Sequence, residues 1–226
     1  MHGFLALRTL EGKRLADGEI TQIADGDLVK THLVFRFVDG SLYEEDASFT
    51  QRGKFRLRHD HVVEKGPSFR QPMDSLVDAA GGRIKVHYTD EHGQAQSIDE
   101  AMSVPEDVSN GLLFTLLRHI DAKTPQTVVS EVATTPKPRV VSLIITPQGE
   151  ESFTSGTSRY KATQYVVKVK IGGIAGLVAP LVGKQPPDLH VWIKGGEVPA
   201  FVKFEGPIYN GGPVWRVELD DSAKFQ

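Results

Sequence analysis

Along the first hundred residues, apolar and polar positions alternate in segments of about ten, and a turn pair ends each segment. The pairs are Glu11-Gly12, Asp25-Gly26, Asp39-Gly40, Arg52-Gly53 and Lys65-Gly66, so the glycines fall 14, 14, 13 and 13 residues apart. Between them lie β-rich stretches such as LVKTHLVFRFV (28–38) and KFRLRHDHVVE (54–64). The pattern predicts consecutive antiparallel hairpins. At ~3.3 Å per residue such strands span roughly 33 Å, long enough for a twisted sheet to curl. After Gly66 the beat weakens to a strand near 73–79, a Gly81-Gly82 turn, a strand over 83–90 and a turn at His92-Gly93.

Side-chain parity selects the turns. Leu33, Phe35 and Phe37 share a face; so do Tyr43, Ala47 and Phe49 on the next strand, and Phe55, Leu57 and Val63 on the one after. A two-residue turn at Asp39-Gly40 would put Tyr43 on the wrong face. A three-residue loop, Val38-Asp39-Gly40, pairs Phe35 with Tyr43. Likewise Gln51-Arg52-Gly53 pairs Phe49 with Phe55 and Ala47 with Leu57. Such loops end in a left-handed residue, so Gly40 and Gly53 are expected at positive φ. The same register places His59 and His61 inward, opposite Glu45 and Tyr43.

A different period follows. In SVPEDVSNGLLFTLLRHI (103–120), Val108, Leu112, Leu113, Leu116, Leu117 and Ile120 recur at helical steps. Ser103 suits an N-cap, Pro105 the first turn, and Glu106 and Asp107 the positive helix end. This predicts one helix over about 104–120, covered by the sheet. Prolines then punctuate strand candidates at 127–132, 139–146, 164–171, 189–194, 200–205 and 214–219. In YVVKVKI, Tyr165, Val167, Val169 and Ile171 alternate with Val166, Lys168 and Lys170, as in a half-buried strand. Trp192 and Trp215 are expected in the core. The stretch GGIAGLVAPLVGKQPP (172–187) is apolar but broken by glycines and Pro180. It reads as a plug for one end of the core, or as a lid over a cavity. No low-complexity linker interrupts the chain, so one domain is expected over 1–226: a meander over 1–100, a core helix over 104–120 and a second set of strands over 126–220. The fold class is mainly β, a long, strongly curved antiparallel meander forming a half-barrel or open barrel around a single helix.

Composition narrows the function classes. Cysteine is absent, which excludes disulfides, thiolate metal sites and a Cys nucleophile. A net charge of −3 offers no global electrostatic case for nucleic acid. No apolar run reaches the ~20 residues of a membrane-spanning helix. Met1-His2-Gly3-Phe4 lacks the features of a signal peptide. The expectation is a trimmed mature form in the periplasm or cell envelope, with a cytoplasmic protein as the alternative.

Candidate chemistry is sparse. His59, His61 and Glu45, on one face in the register above, form the weak candidate for a divalent metal site and a metal-dependent enzyme. The run from Gly53 through His59-x-His61 to Glu64 resembles the first cupin motif, but its His-to-Glu gap is short and the second motif is missing. No GxSxG elbow or phosphate loop is present. Arg52, Lys54, Arg56 and Arg58 read as a solvated outward stripe. No catalytic residue and no cofactor is assigned.

PEDVSNGLLFTLLRHI resembles the Asp-x-x-Ser…Leu-x-x-x-Leu-Arg helix of a bacterial exported-protein family, related to the LolA/LolB lipoprotein-carrier half-barrels. The matching residues are Asp107, Ser109, Leu113, Leu117 and Arg118. PDLHVWIKGGEVPAFVKFEG resembles that family's closing hairpin at Val191, Trp192, Pro199 and Lys203. Asn110-Gly111 departs from the family, which often has an aliphatic or aromatic pair there. So does the long 172–187 stretch. The resemblance implies an envelope location and binding of a lipid or other apolar small molecule, and brings no catalytic residues. The expected lining is Phe35, Phe37, Tyr43 and Phe49, with Leu113 and Leu117 from the helix and Ile174, Leu177, Val178 and Leu181 from the apolar loop. A structural or adaptor role in the envelope, pairing a sheet edge with a protein partner, is the remaining alternative.

Overall fold

In the computed structural model, residues 1–135, 137–155, 158–171 and 186–220 are described. The regular beat of turns yields eight strands in succession: β1 (His2–Arg8), β2 (Arg14–Asp25), β3 (Leu28–Phe37), β4 (Leu42–Thr50), β5 (Arg56–Lys65), β6 (Met73–Asp78), β7 (Arg83–Thr89) and β8 (Ala95–Ala101). A short helix, α1 (Leu113–Leu117), precedes six more: β9 (Thr127–Ala133), β10 (Arg139–Ser155), β11 (Ser158–Lys170), β12 (Leu189–Lys194), β13 (Ala200–Gly206) and β14 (Trp215–Leu219). The two meanders join where β1 pairs with β14, giving one 14-stranded antiparallel sheet in the order β8 to β1, then β14 to β9. The sheet is curved and not closed. β8 and β9, its two ends, do not pair with each other.

The turn chemistry behaves as parity demands. Gly40 and Gly53 have φ of 85° and 71°, and Phe35 stands opposite Tyr43. Further along the hairpin the expectation fails. The β4–β5 connection is five residues long (51–55) rather than the three expected at Gln51-Arg52-Gly53, so Thr50 stands opposite Arg56 and Phe49 opposite Leu57 instead of Phe55, and a β-bulge between Ser48 and Phe49 then sets Ala47 opposite Asp60 instead of Leu57. One extra residue on β5 reverses the parity of everything after it. Two other elements also differ. β8, a polar edge strand with Ile98 as its lone large apolar residue, lies in a stretch with no strand pattern. β10 continues through Pro147, which stands opposite Tyr165 beside a bulge that leaves Gln148 without a partner residue in the ladder with β11.

The helix is far shorter than its periodicity suggests. Of 104–120, residues 113–117 alone are α-helical. Upstream, the backbone leaves the helix to hold the edge of β9. Val108 forms a parallel bridge with Ser130, Ser109 N donates to Ser130 O, and Ser130 N donates to Asp107 O. The Asn110 side chain takes Val132 at both backbone groups, Nδ2 donating to its O at 3.0 Å and Oδ1 accepting from its N at 2.8 Å. Gly111 then turns left-handed, at φ 65°, which ends any continuous helix before it. Asparagine and serine favour such local competition with helical hydrogen bonding.

The 103–120 segment nevertheless fills the concave side. Leu117 is buried among Phe35, Tyr43, Leu143, Ile145, Val167, Val191 and Trp215, while Val108 and Leu112 are buried with Phe49, Leu57, Val77, Ile84 and Val86. Trp215 joins this interior as expected. Trp192 is also buried, but on the opposite face with Ala162 and Val202, beneath Lys203 Nζ at 3.8 Å from its ring centroid. Close packing extends to the backbone at Gly18, opposite Phe35, where an added Cβ would come 2.4 Å from the Phe35 ring. Gly18→Val is therefore expected to cost about 1–3 kcal/mol through overpacking. Denaturant unfolding checks this, and an unchanged midpoint would contradict the packing described.

Candidate functional site

The bulge in β5 brings carboxyl groups into the interior. Asp60 and Glu64 are buried, at 4% and 5% exposure. Along β4, Glu45 stands on the face of Tyr43, Ala47 and Phe49, so it lies between the two apolar clusters those aromatics belong to. Glu131 reaches the same place from β9, two residues beyond Val129 on its strand face. Glu64 is directly opposite Tyr43, and Asp60 directly opposite Ala47.

Burial pushes every one of these acids upward. The Glu45 carboxyl rises to about 7, chiefly by desolvation and then by repulsion from Glu131 and Asp46. Glu131 rises to about 7 by desolvation. Glu64 rises to about 8, by desolvation and then by the charge of Glu45. Asp60 is driven well above the usual carboxylate range by burial, then by Glu45 and Glu131. The Tyr43 phenol is raised by burial and by the same acids. Among the described residues, no cation offsets any of these effects. Asp60 Oδ1 has no hydrogen-bond partner. Gly111 is pressed against it; a Cβ there would lie 2.8 Å from that oxygen and 2.6 Å from the Ala47 Cβ. Buried acids without partners are costly, and ordinarily mark a place with a purpose.

A pocket of about 240 Å³ opens between the residues that lead into β5, the 107–116 segment and β9. Phe55, Val108, Leu112, Leu116 and Val129 give it apolar walls, and Lys54 and Asp107 its charged groups. None of the four acids lines it; Val129 precedes Glu131 on one face of β9, Leu112 follows the glycine that covers Asp60, and Glu64 lines a separate pocket of about 440 Å³ with Met73 and Tyr88.

Of the residues expected to line a ligand site, Phe35, Phe37, Tyr43, Leu113 and Leu117 share one interior cluster and Phe49 belongs to the other. Phe35, Phe37, Tyr43 and Phe49 are buried in the interior, at 1%, 7%, 7% and 1% exposure. Leu117 is fully buried and Leu113 packs against the same cluster. None of these six lines the 240 Å³ pocket, which uses Leu112 and Leu116 from the other side of the segment. Ile174, Leu177, Val178 and Leu181 lie outside the described residues.

The metal candidate requires a correction. Glu45 stands opposite Val62, not His59, and Tyr43 opposite Glu64, not His61. The bulge turns both histidines to the outer face. There His59 Nδ1 lies 2.9 Å from Ser48 Oγ and His61 Nε2 lies 2.9 Å from Asp74 Oδ1. His59, His61 and Glu45 therefore cannot share one ion. Among the described residues, the group that could hold one is His32, Glu44 and Asp46, on the outer face of β3 and β4, with ligating atoms within 4.8 Å of one another. Its geometry is already that of an ion-pair cluster: Nδ1 of His32 is 2.9 Å from Asp46 and Nε2 is 3.8 Å from Glu44.

The two stretches carrying the family resemblance meet in space. Arg118 Nε donates to Pro199 O at 3.1 Å, tying the end of the helical segment to the β12–β13 hairpin. In that hairpin Lys203 covers Trp192. The outer edge of β8 carries Asp99 and Glu100, and charge on an edge strand discourages pairing with another chain. No helix among the described residues is long and apolar enough to cross a membrane.

Comparisons with known proteins bear on the fold. No family model matches the chain, and no curated protein does. Among solved structures, it is similar to a β-barrel-like protein of Domain of Unknown Function DUF1849 from Brucella abortus. The TM-score is 0.51 at 9% identity, over 97% of this chain and 94% of that one. At that identity the likeness concerns architecture: a mainly β, barrel-like fold.

Proposed function

We propose that this protein is a non-enzymatic envelope protein that binds an apolar small molecule, of the class of a lipid chain, at the seam of its open sheet. The observation that carries this reading is the apolar pocket between Phe55, the 107–116 segment and Val129. It lies where strand pairing gives way to a segment held by side-chain clamps, the weakest line along which the shell can part. Ligand pockets of this kind are concave and mostly apolar. The envelope location and the lipoprotein-carrier likeness rest on the sequence resemblance alone. The separation of His59 and His61 from Glu45 weighs against the metal-enzyme alternative, and the charged edge of β8 weighs against the adaptor alternative.

Leu116→Trp fills the pocket from a half-buried position. It is expected to lower the lipid retained on purification, read by native mass spectrometry, by about tenfold, equivalent to ~1.4 kcal/mol of binding. Equal retention in a variant with an unchanged thermal midpoint would exclude this pocket as the site.

A further inference from the structure

The outer face of the sheet carries a row of side chains that an apolar ligand does not use. Across neighbouring strands imidazole and carboxylate alternate: His32 on β3, Asp46 on β4, His61 on β5, Asp74 on β6 and His87 on β7. His32 stands directly opposite Asp46, Asp46 opposite His61, and Asp74 opposite His87. His61 Nε2 lies 2.9 Å from Asp74 Oδ1. At one place the row holds more acid than its histidine can offset. Glu44 sits two residues from Asp46 on the same face of β4. Both carboxylates converge on His32, Asp46 at 2.9 Å from Nδ1 and Glu44 at 3.8 Å from Nε2. Lys30 and Arg36 share the outer face of β3, yet among the described residues neither forms an ion pair with Glu44 or Asp46.

A protonated His32 offsets one of the two carboxylate charges and a neutral His32 offsets neither, so the group stays net negative in both states. A dication in place of the shared proton offsets both. We propose that His32, Glu44 and Asp46 form a site for a divalent transition ion of the zinc class. One imidazole nitrogen and one oxygen from each carboxylate are the ligands, and water takes the fourth position. The three ligating atoms lie within 4.8 Å of one another. Around a tetrahedral zinc ion with bonds of about 2.0–2.2 Å, ligand atoms sit about 3.4 Å apart, so closure asks for movements of about 1 Å. These side chains are 38%, 37% and 49% exposed, which leaves them room to turn. Their backbone need not move. β3 and β4 are inner strands, each paired along both edges, and ligands on rigid elements are held more precisely than ligands on loops.

The donor set selects the ion. One nitrogen and two carboxylate oxygens suit zinc and its neighbours. Calcium takes about six to eight oxygens and magnesium an octahedral oxygen shell, which three side chains with one nitrogen do not supply. The rest of the row does not meet the same geometric test. Among the described residues no other group of three brings its ligating atoms within 4.8 Å. His61 with Asp74 is one imidazole against one carboxylate, an ordinary cross-strand pair, and it supplies an internal control. The site lies on the outer face and does not depend on the apolar-ligand reading.

Zinc chloride titrated by calorimetry into the full-length protein, stripped beforehand with a chelator, tests the site. One ion per chain is expected, and magnesium in large excess is expected not to displace it. His32→Gln and Asp46→Asn are each expected to weaken zinc binding about tenfold or more. His61→Gln removes an imidazole from the same row but not from the site, and is expected to stay within about twofold of wild type. All three positions are partly exposed, so the metal-free thermal midpoints are expected to be unchanged. Zinc is expected to raise the midpoint of the wild type and of His61→Gln, and not that of His32→Gln. Absence of saturable zinc binding overturns the site. So does an equal loss in His61→Gln and His32→Gln, which would mean diffuse binding along the histidine row.

Discussion

Raising the pH from about 5 to about 9 is expected to lower the thermal midpoint of this protein by roughly 10 °C. Most globular proteins are near their best in that range, so the direction is diagnostic. The sign follows from the interior acids. Glu45 and Glu131 titrate at about 7 in the folded protein and Glu64 at about 8, all above their ordinary value of 4.5. The folded chain thus binds more protons than the unfolded chain between these limits. Stability from these groups is complete below about pH 4.5 and is lost as pH rises through 7 and 8. Each tenfold tightening of proton binding on folding corresponds to about 1.4 kcal/mol, but relaxation and entry of water reduce the penalty for buried ions. A net loss of about 3–4 kcal/mol is therefore expected, at about 2–4 °C per kcal/mol for a chain of this size. Asp39, Asp90 and Asp99 have depressed values, so they titrate below this window and do not obscure it. Glu64→Gln should raise the midpoint near pH 9 and flatten the slope. A wild-type midpoint that is flat or rising from pH 5 to 9 would refute the uncompensated interior.

Gly111→Ala should be the most damaging conservative change in the 103–120 segment. Two costs combine. The backbone there is left-handed, at φ 65°, which disfavours a side-chain-bearing residue by about 1–2 kcal/mol. The new methyl would also lie 2.6 Å from the Ala47 Cβ and 2.8 Å from Asp60 Oδ1. Neither neighbour is the end of a long flexible side chain, so the strand or the seam segment must move. Overpacking of this kind adds about 1–3 kcal/mol. A total of about 2–5 kcal/mol is expected in urea unfolding. Full stability in Gly111→Ala would mean that the seam does not press on β4 and β5 as described.

The Asn110-Gly111 pair also illustrates what was legible. Against the resembling family it stands out as a departure, where aliphatic or aromatic residues are common. In the fold the departure has a physical role: Asn110 substitutes for a strand partner at Val132, and Gly111 makes room over Asp60. The bulge in β5 left a fainter trace. Leu57 and Val62 are both apolar but of opposite parity, which a regular strand cannot bury on one face. That switch was a signal for an inserted residue, and it would have moved Asp60 and Glu64 inward and His59 and His61 outward. β8 left no comparable trace, because an edge strand exposed on nearly every side chain has no apolar period to read.

Short-range sterics and periodicity are sufficient to determine much of this protein. The turn glycines, the three-residue loop that pairs Phe35 with Tyr43, the strands of both meanders other than β8 and the mainly β character follow from residues within a few positions of one another. The tertiary structure alone decided what depends on distant partners. Hydrogen bonds to Ser130 and Val132 outcompeted helix formation over 103–112. The curvature of the sheet brought Glu131 of β9 to Glu45 of β4 and Asp60 of β5. Local pattern assigns an acidic residue to solvent by default, and the approach of β9, one end of the curved sheet, to β4 and β5 is what brings these four together.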